Sequence, residues 1–96
     1  MEIRNAKIAG TTLGFEDHGI FTCFLHLEYG SGNIGQSFGG YFLESHPKMI
    51  QSILKTVGVN SWENLKGKYI RAEFDNIHVE RIGHITEDKW YNPKHE

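Results

Sequence analysis

The stretch Ile34-Gly-Gln-Ser-Phe-Gly-Gly-Tyr41 places three glycines and two aromatic residues in eight positions. This glycine-rich stretch predicts a strand that ends near Glu44. After Ser45 the apolar residues recur at helical spacing, and Pro47 fits the first turn of a helix. A helix capped by Ser45 and stopped by Gly58 is therefore predicted next. Its apolar stripe consists of Met49, Ile50, Ile53, Leu54 and Val57.

The glycines of this strand do not fit a nucleotide loop. A Walker-type loop needs Lys and then Ser or Thr directly after its last glycine, where Tyr41 and Phe42 stand instead. A dinucleotide fingerprint opens directly into a helix, which begins too late here. We therefore expect a bulged or sharply bent strand at Gly39–Gly40. Its functional interpretation is a ligand- or partner-binding floor, in which the bare amides of Gly39–Gly40 lie between Phe38 and Tyr41.

The flanking segments alternate with the period of two that is typical of strands. One strand is expected up to about Phe15 and a second over Ile20–Tyr29, joined by a turn at Asp17–Gly19. Gly67–Phe74 and Ile77–Ile85 predict a second hairpin. In the second strand the predicted core face consists of Phe21, Cys23, Leu25, Leu27 and Tyr29. The sum is an α+β fold, in which an antiparallel sheet of about five strands packs against one main helix.

Length and charge limit the classes of protein that fit. Ninety-six residues predict a single domain over 1–96, with a polar C-terminal arm from about residue 86. The net charge of -2 gives no overall attraction to nucleic acid or to an anionic membrane. The charged N-terminus and the lack of a long apolar run predict a soluble, cytosolic protein without a membrane contact.

We find no catalytic or metal-binding pattern, and no cofactor is expected. Glu16, Asp17 and His18 cluster at a hairpin tip, which rarely desolvates a catalytic carboxylate. Cys23 lies in an apolar run, which favours a buried thiol over a nucleophile. The histidines lack the spacing of zinc sites, although they leave a small metal-assisted enzyme as a third class of hypothesis. They are His18, His26, His46, His78, His84 and His95.

Two further groups carry hypotheses about binding. Lys66, Lys68 and Arg71 flank Tyr69, a pattern of basic and aromatic residues that single-stranded nucleic-acid binders use. Trp90 and Tyr91 stand in a polar tail and must bury either on the domain or on another subunit. The C-terminal arm is therefore the predicted self-association contact.

The order of five segments resembles a family of small uncharacterised proteins encoded by bacteriophages and prophages. The segments are 13–20 (LGFEDHGI), 35–43 (GQSFGGYFL), 53–59 (ILKTVGV), 62–71 (WENLKGKYIR) and 82–90 (IGHITEDKW), which together cover more than half of the chain. Family members often carry a longer insertion between Leu43 and Met49. The link is short in this chain, and this departure from the family puts in doubt any function placed on that loop.

The resemblance implies a phage accessory protein that acts in the host cytoplasm. Small phage proteins without catalytic residues commonly occupy a host target, so we expect a non-enzymatic counter-defence protein, such as an anti-CRISPR, that binds a host protein stoichiometrically. One alternative is a sponge that sequesters an immune signalling nucleotide, with Phe38, Tyr41, Arg71 and the amides of Gly39–Gly40 as its pocket. The other is a nucleic-acid-binding accessory module.

Overall fold

A computed structural model describes residues 2–15, 17–29, 34–41, 46–75 and 78–93. For residues 34–37, 39–41 and 46–47 it describes the backbone but not the side chains. The helix α1 spans His46–Val57, and a single 3₁₀ turn spans Trp62–Asn64. The strands are β1 (Glu2–Phe15), β2 (Phe21–Tyr29), β3 (Ile34–Tyr41), β4 (Tyr69–Asp75), β5 (His78–His84) and β6 (Trp90–Tyr91). The predictions made for Glu16, Glu44, Ser45, Ile77 and His95 lie outside the described residues.

These strands form one antiparallel sheet in the order β3-β2-β1-β4-β5-β6. The glycine-rich strand β3 is thus at one end of the sheet order. The predicted α+β fold is confirmed, since five main strands pack with one helix. The sixth strand has only two residues, Trp90 and Tyr91, and it pairs with β5. The segment predicted as an arm therefore returns to the sheet.

The register shifts among the described strands lie in β1 and in β5, where Glu80 is the extra residue, and not at Gly39–Gly40. The pairing of β3 with β2 runs without a register shift from Ile34 to Tyr41, so the predicted bulge is wrong. In β1 the register against β2 shifts between Ile8 and Gly10, which leaves Ala9 as the extra residue. A bulge inserts one residue into a strand. After it, the odd-numbered side chains take the face that the even-numbered ones had before it.

The helix supplies one wall of the core. Met49 and Ile53 have no exposed surface, and Val57 is buried beside them. This is the apolar stripe at helical spacing that the sequence predicts. The helix ends at Gly58, whose φ of 90° lies in the left-handed region, and the amides of Gly58 and Val59 both donate to the carbonyl of Leu54.

The sheet curls around this core, so that β3 comes close to β5. Phe38 of β3 and Tyr91 of β6 meet edge to face across the core, with 6.2 Å between their ring centres. The two ends of the sheet therefore share one apolar cluster. Within the described residues, no helix has the length and apolar character needed to cross a membrane.

We expect Ile53→Ala to lower the free energy of unfolding by about 2–5 kcal/mol, because it leaves a cavity against a fully buried helix face. The matched control is Gln51→Ala on the exposed face of the same helix. Urea unfolding measures both variants. Equal effects of the two substitutions would contradict the assignment of Ile53 to the core.

Candidate functional site

Phe38 and Arg71, two members of the predicted binding site, lie on opposite faces of the sheet. Phe38 pairs with the buried Leu25 and is itself only 2% exposed, so its ring belongs to the core. Arg71 alternates with the buried Ile70 and Ala72 and therefore faces away from the core. A pocket that uses both side chains is not assembled. The side chain of Tyr41 lies outside the described residues.

Trp90 and Tyr91 pack on the domain itself, which is the first of the two alternatives that the sequence left open. Tyr91 is in the core, and Trp90 lies on the outer face of the sheet, where it pairs with Gly83. A Cβ atom on Gly83 would lie 2.6 Å from the indole ring, so only glycine accommodates Trp90 here. Self-association through these two residues stays a prediction.

Two arginines flank the indole of Trp90. The guanidinium carbons of Arg71 and Arg81 lie 4.6 and 4.1 Å from the centre of the Trp90 ring. Contacts of this length between a cation and an aromatic ring are favourable. We name Arg71, Arg81, Gly83 and Trp90 the tryptophan cluster.

Arg71 also holds the loop between β5 and β6. Its Nε donates to the carbonyl of His84 at 2.7 Å, and an Nη donates to the carbonyl of Glu87 at 2.8 Å. Nδ1 of His84 accepts from the amides of Thr86 and Glu87, at 3.1 and 3.0 Å. The ring proton is thus on Nε2, where it donates to the carboxylate of Glu87 at 3.2 Å.

Arg81 is bound to a carboxylate. Its Nη lies 2.9 Å from an oxygen of Glu73, whose side chain is 11% exposed. The hydrogen bond from Arg81 holds the pKa of the Glu73 carboxyl below its ordinary value and raises the pKa of Arg81. Among the described ion pairs this is the most buried.

The tip of the β1–β2 hairpin carries exposed apolar side chains. Phe15, Leu13 and Ile20 are 76%, 40% and 39% exposed. Phe15 pairs with Phe21, and their rings meet edge to face at 5.3 Å. Sequence reasoning missed this surface because the tip was interpreted only as a polar turn. The available signal was the alternation of Leu13 and Phe15, which continues a strand beyond the core.

The basic residues predicted for nucleic acid divide between two places. Lys66 and Lys68 line an open depression of about 410 Å³ at the C-terminal end of α1, together with Gly58, Val59, Asn60, Glu63 and Asn64. Tyr69 is 59% exposed and pairs with Lys7 of β1, on the same face as Arg71. Lys66 and Lys68 thus border this depression, whereas Tyr69 and Arg71 lie on the outer face of the sheet, and binding of nucleic acid by the four residues stays a prediction.

The thiol of Cys23 is buried, and the described histidines do not come together as a metal site. Cys23 has no exposed surface, and burial raises its pKa to about 11, which suppresses the thiolate. Nε2 of His26 lies 2.7 Å from the hydroxyl of Thr12, but both residues are exposed on the sheet surface. Across the part of the chain that the structure describes, no three His, Cys, Asp or Glu side chains come together as a metal site.

Comparison of this chain with protein-family models, with curated proteins and with solved structures gives no match.

We expect Gly83→Ala to destabilise the protein by about 1–3 kcal/mol, because the added methyl group forces Trp90 out of place. In a Trp90→Ala background the same substitution has no ring to displace, so its cost should largely vanish. Thermal unfolding of the two single variants and the double variant measures this coupling. Additive effects would contradict the packing of Trp90 on Gly83.

The ion pair between Glu73 and Arg81 predicts a loss of stability in acid. Because folding lowers the pKa of Glu73, its carboxylate stabilises the folded state above the ordinary value of 4.5, and this contribution disappears as the pH falls through the lowered pKa. Urea unfolding between pH 7 and about pH 3 should show a smaller loss for Glu73→Gln than for the wild type. Glu63→Gln, at an exposed carboxyl, serves as the control. Parallel profiles for wild type and Glu73→Gln would contradict this contribution.

Proposed function

We propose that this chain is a phage-encoded, non-enzymatic accessory protein that counters host defence in the host cytoplasm by binding a host protein stoichiometrically. The proposed class of protein is an anti-CRISPR or a similar inhibitor. The observation that carries the proposal is the apolar tip of the β1–β2 hairpin, defined here by Leu13, Phe15 and Ile20. The phage origin of the protein and the class of its target are inferred from the resemblance of the five sequence segments to the phage family.

The hairpin tip has the composition of a protein-binding surface. A largely exposed phenylalanine is costly to leave in water, and contacts of this kind commonly contribute most of the binding energy at interfaces. Asp17 and His18 lie exposed in the turn beside it. A central apolar anchor with a polar rim is the usual arrangement of such interfaces.

The hairpin also holds the anchor in a defined position. The pairing of β1 with β2 continues to Phe15 and Phe21, the last paired residues on either side of the turn. Leu13 and Phe15 are two positions apart on one strand and so lie on the same face. Because the backbone is already ordered, binding costs less conformational entropy than it would for a flexible loop.

The separation of Phe38 from Arg71 favours protein binding over sequestration of a nucleotide. The proposed sponge pocket needs an aromatic ring and a guanidinium that face the same ligand. Phe38 is buried against Tyr91, whereas Arg71 lies on the outer face over Trp90. The hairpin tip needs no such rearrangement to reach a partner.

We expect Phe15→Asp to abolish protection of phage in bacteria that carry a defence system sensitive to the wild-type protein. With the purified target, the same variant should lose about 30-fold or more in affinity, as removal of a central anchor does. The matched control is Ile3→Asp, which alters another exposed apolar residue of the same strand.

Plaque counts and native mass spectrometry of the complex measure these outcomes, and circular dichroism checks that both variants fold. Full protection by a folded Phe15→Asp variant would show that the hairpin tip is not the contact surface. A target that is turned over, without forming a stable complex, would contradict stoichiometric binding.

A further inference from the structure

The outer face of the sheet, which α1 does not cover, carries an exposed aromatic ring beside two cations. Tyr69 and Arg71 are two positions apart on β4, and Lys7 of β1 pairs with Tyr69. On neighbouring antiparallel strands, directly opposite side chains lie about 5 Å apart and diagonal ones about 7–8 Å apart. Tyr69, Arg71 and Lys7 therefore lie within reach of one small ligand segment. We call these three residues the outer-face site.

The ring of Tyr69 is 59% exposed, although an aromatic side chain of this size is usually better covered. It is the first residue of β4 and pairs with Lys7 of β1, so its backbone is held in the sheet on that side. Aromatic rings presented on an open sheet face are how many proteins stack unpaired bases.

Arg71 carries a positive charge that no described carboxylate neutralises. Its described hydrogen-bond acceptors are the two backbone carbonyls of His84 and Glu87. A guanidinium has five N–H donors, so these two bonds leave three for a ligand. Arg81 differs, because it is already paired with Glu73.

Trp90 and the loop carbonyls fix the orientation of Arg71. The guanidinium rests 4.6 Å from the indole centre, and its two hydrogen bonds are 2.7 and 2.8 Å long. An arginine held in this way loses little side-chain entropy when it binds an anion. Glu28 on β2 is the direct cross-strand partner of Lys7. Its negative charge limits the positive potential around Lys7.

From this arrangement we propose that the outer-face site binds single-stranded nucleic acid. Tyr69 stacks on one base, and Arg71 and Lys7 bind the phosphates on either side of it. Trp90 acts as a positioning residue for Arg71. Lys66 and Lys68 do not contribute, because they line the depression at the end of α1.

Fluorescence anisotropy with labelled oligomers of about ten nucleotides, oligo-dT and oligo-rU, tests the proposal. We expect the wild-type protein to bind at low salt, with the logarithm of the affinity falling against the logarithm of the salt concentration with a slope of about -1.4, as for two neutralised phosphates. Tyr69→Ala should weaken binding by about fivefold or more, and Tyr69→Phe should restore it, since phenylalanine also stacks. Lys7→Ala should make the slope shallower.

The matched control is the double variant Lys66→Ala with Lys68→Ala, which removes two cations from elsewhere on the surface and should bind like the wild type. Equal loss in this control would overturn the proposal in favour of diffuse charge attraction. It is also overturned if neither oligomer binds at low salt or if Tyr69→Ala binds normally. Binding of only one of the two oligomers supports the site and identifies the sugar that it accepts.

This site is independent of the proposed protein contact. Tyr69 points away from the core, whereas Phe15 lies on the core side of the sheet, where it pairs with Phe21. Phe15→Asp should therefore leave oligonucleotide binding unchanged, and Tyr69→Ala should leave protection of phage unchanged. The failure of one proposal is thus distinguishable from the failure of the other.

Discussion

One extra residue in β1, Ala9, determines which side chains of the long first strand face the core. Before this bulge Ala6 and Ile8 face the core, and after it Leu13 and Phe15 point to the same side. Without the bulge, one half of the strand would turn its apolar residues to the opposite face. Because β1 pairs with β4 through its first half and with β2 through its second half, the bulge places the apolar residues of β4 and β2 on one face of the sheet.

The fold could be predicted from periodicity because its longest segments follow one period throughout. Strand β2 buries Cys23, Leu25 and Leu27, and α1 buries Met49 and Ile53, as alternation and helical spacing indicate. The bulge could not be placed, since Ala9 has no property that marks it as unpaired. The sequence predicts the bulge at Gly39–Gly40 instead, because of the two glycines, although these residues pair regularly with β2.

The candidate site was harder to predict because it depends on which face each side chain takes. Phe38 and Arg71 are both conspicuous in the sequence, yet register assigns one to the core and the other to the outer face. The contact between Gly83 and Trp90 joins residues from different strands, and neither residue alone indicates it. The exposure of Phe15 depends on which parts of the chain pack over the end of β1, a tertiary property that alternation does not contain.

The position of β1 in the sheet also shapes how the chain acquires its structure during synthesis. Glu2 pairs with Phe74, so about seventy residues must follow before the first half of β1 finds its partner. At 5–20 residues per second a ribosome needs roughly 4–14 s for that distance. The hairpin of β1 and β2 requires only local contacts and can close earlier. For those seconds the nascent chain presents an unpaired strand edge, which makes this interval the period of greatest exposure to aggregation or to chaperones.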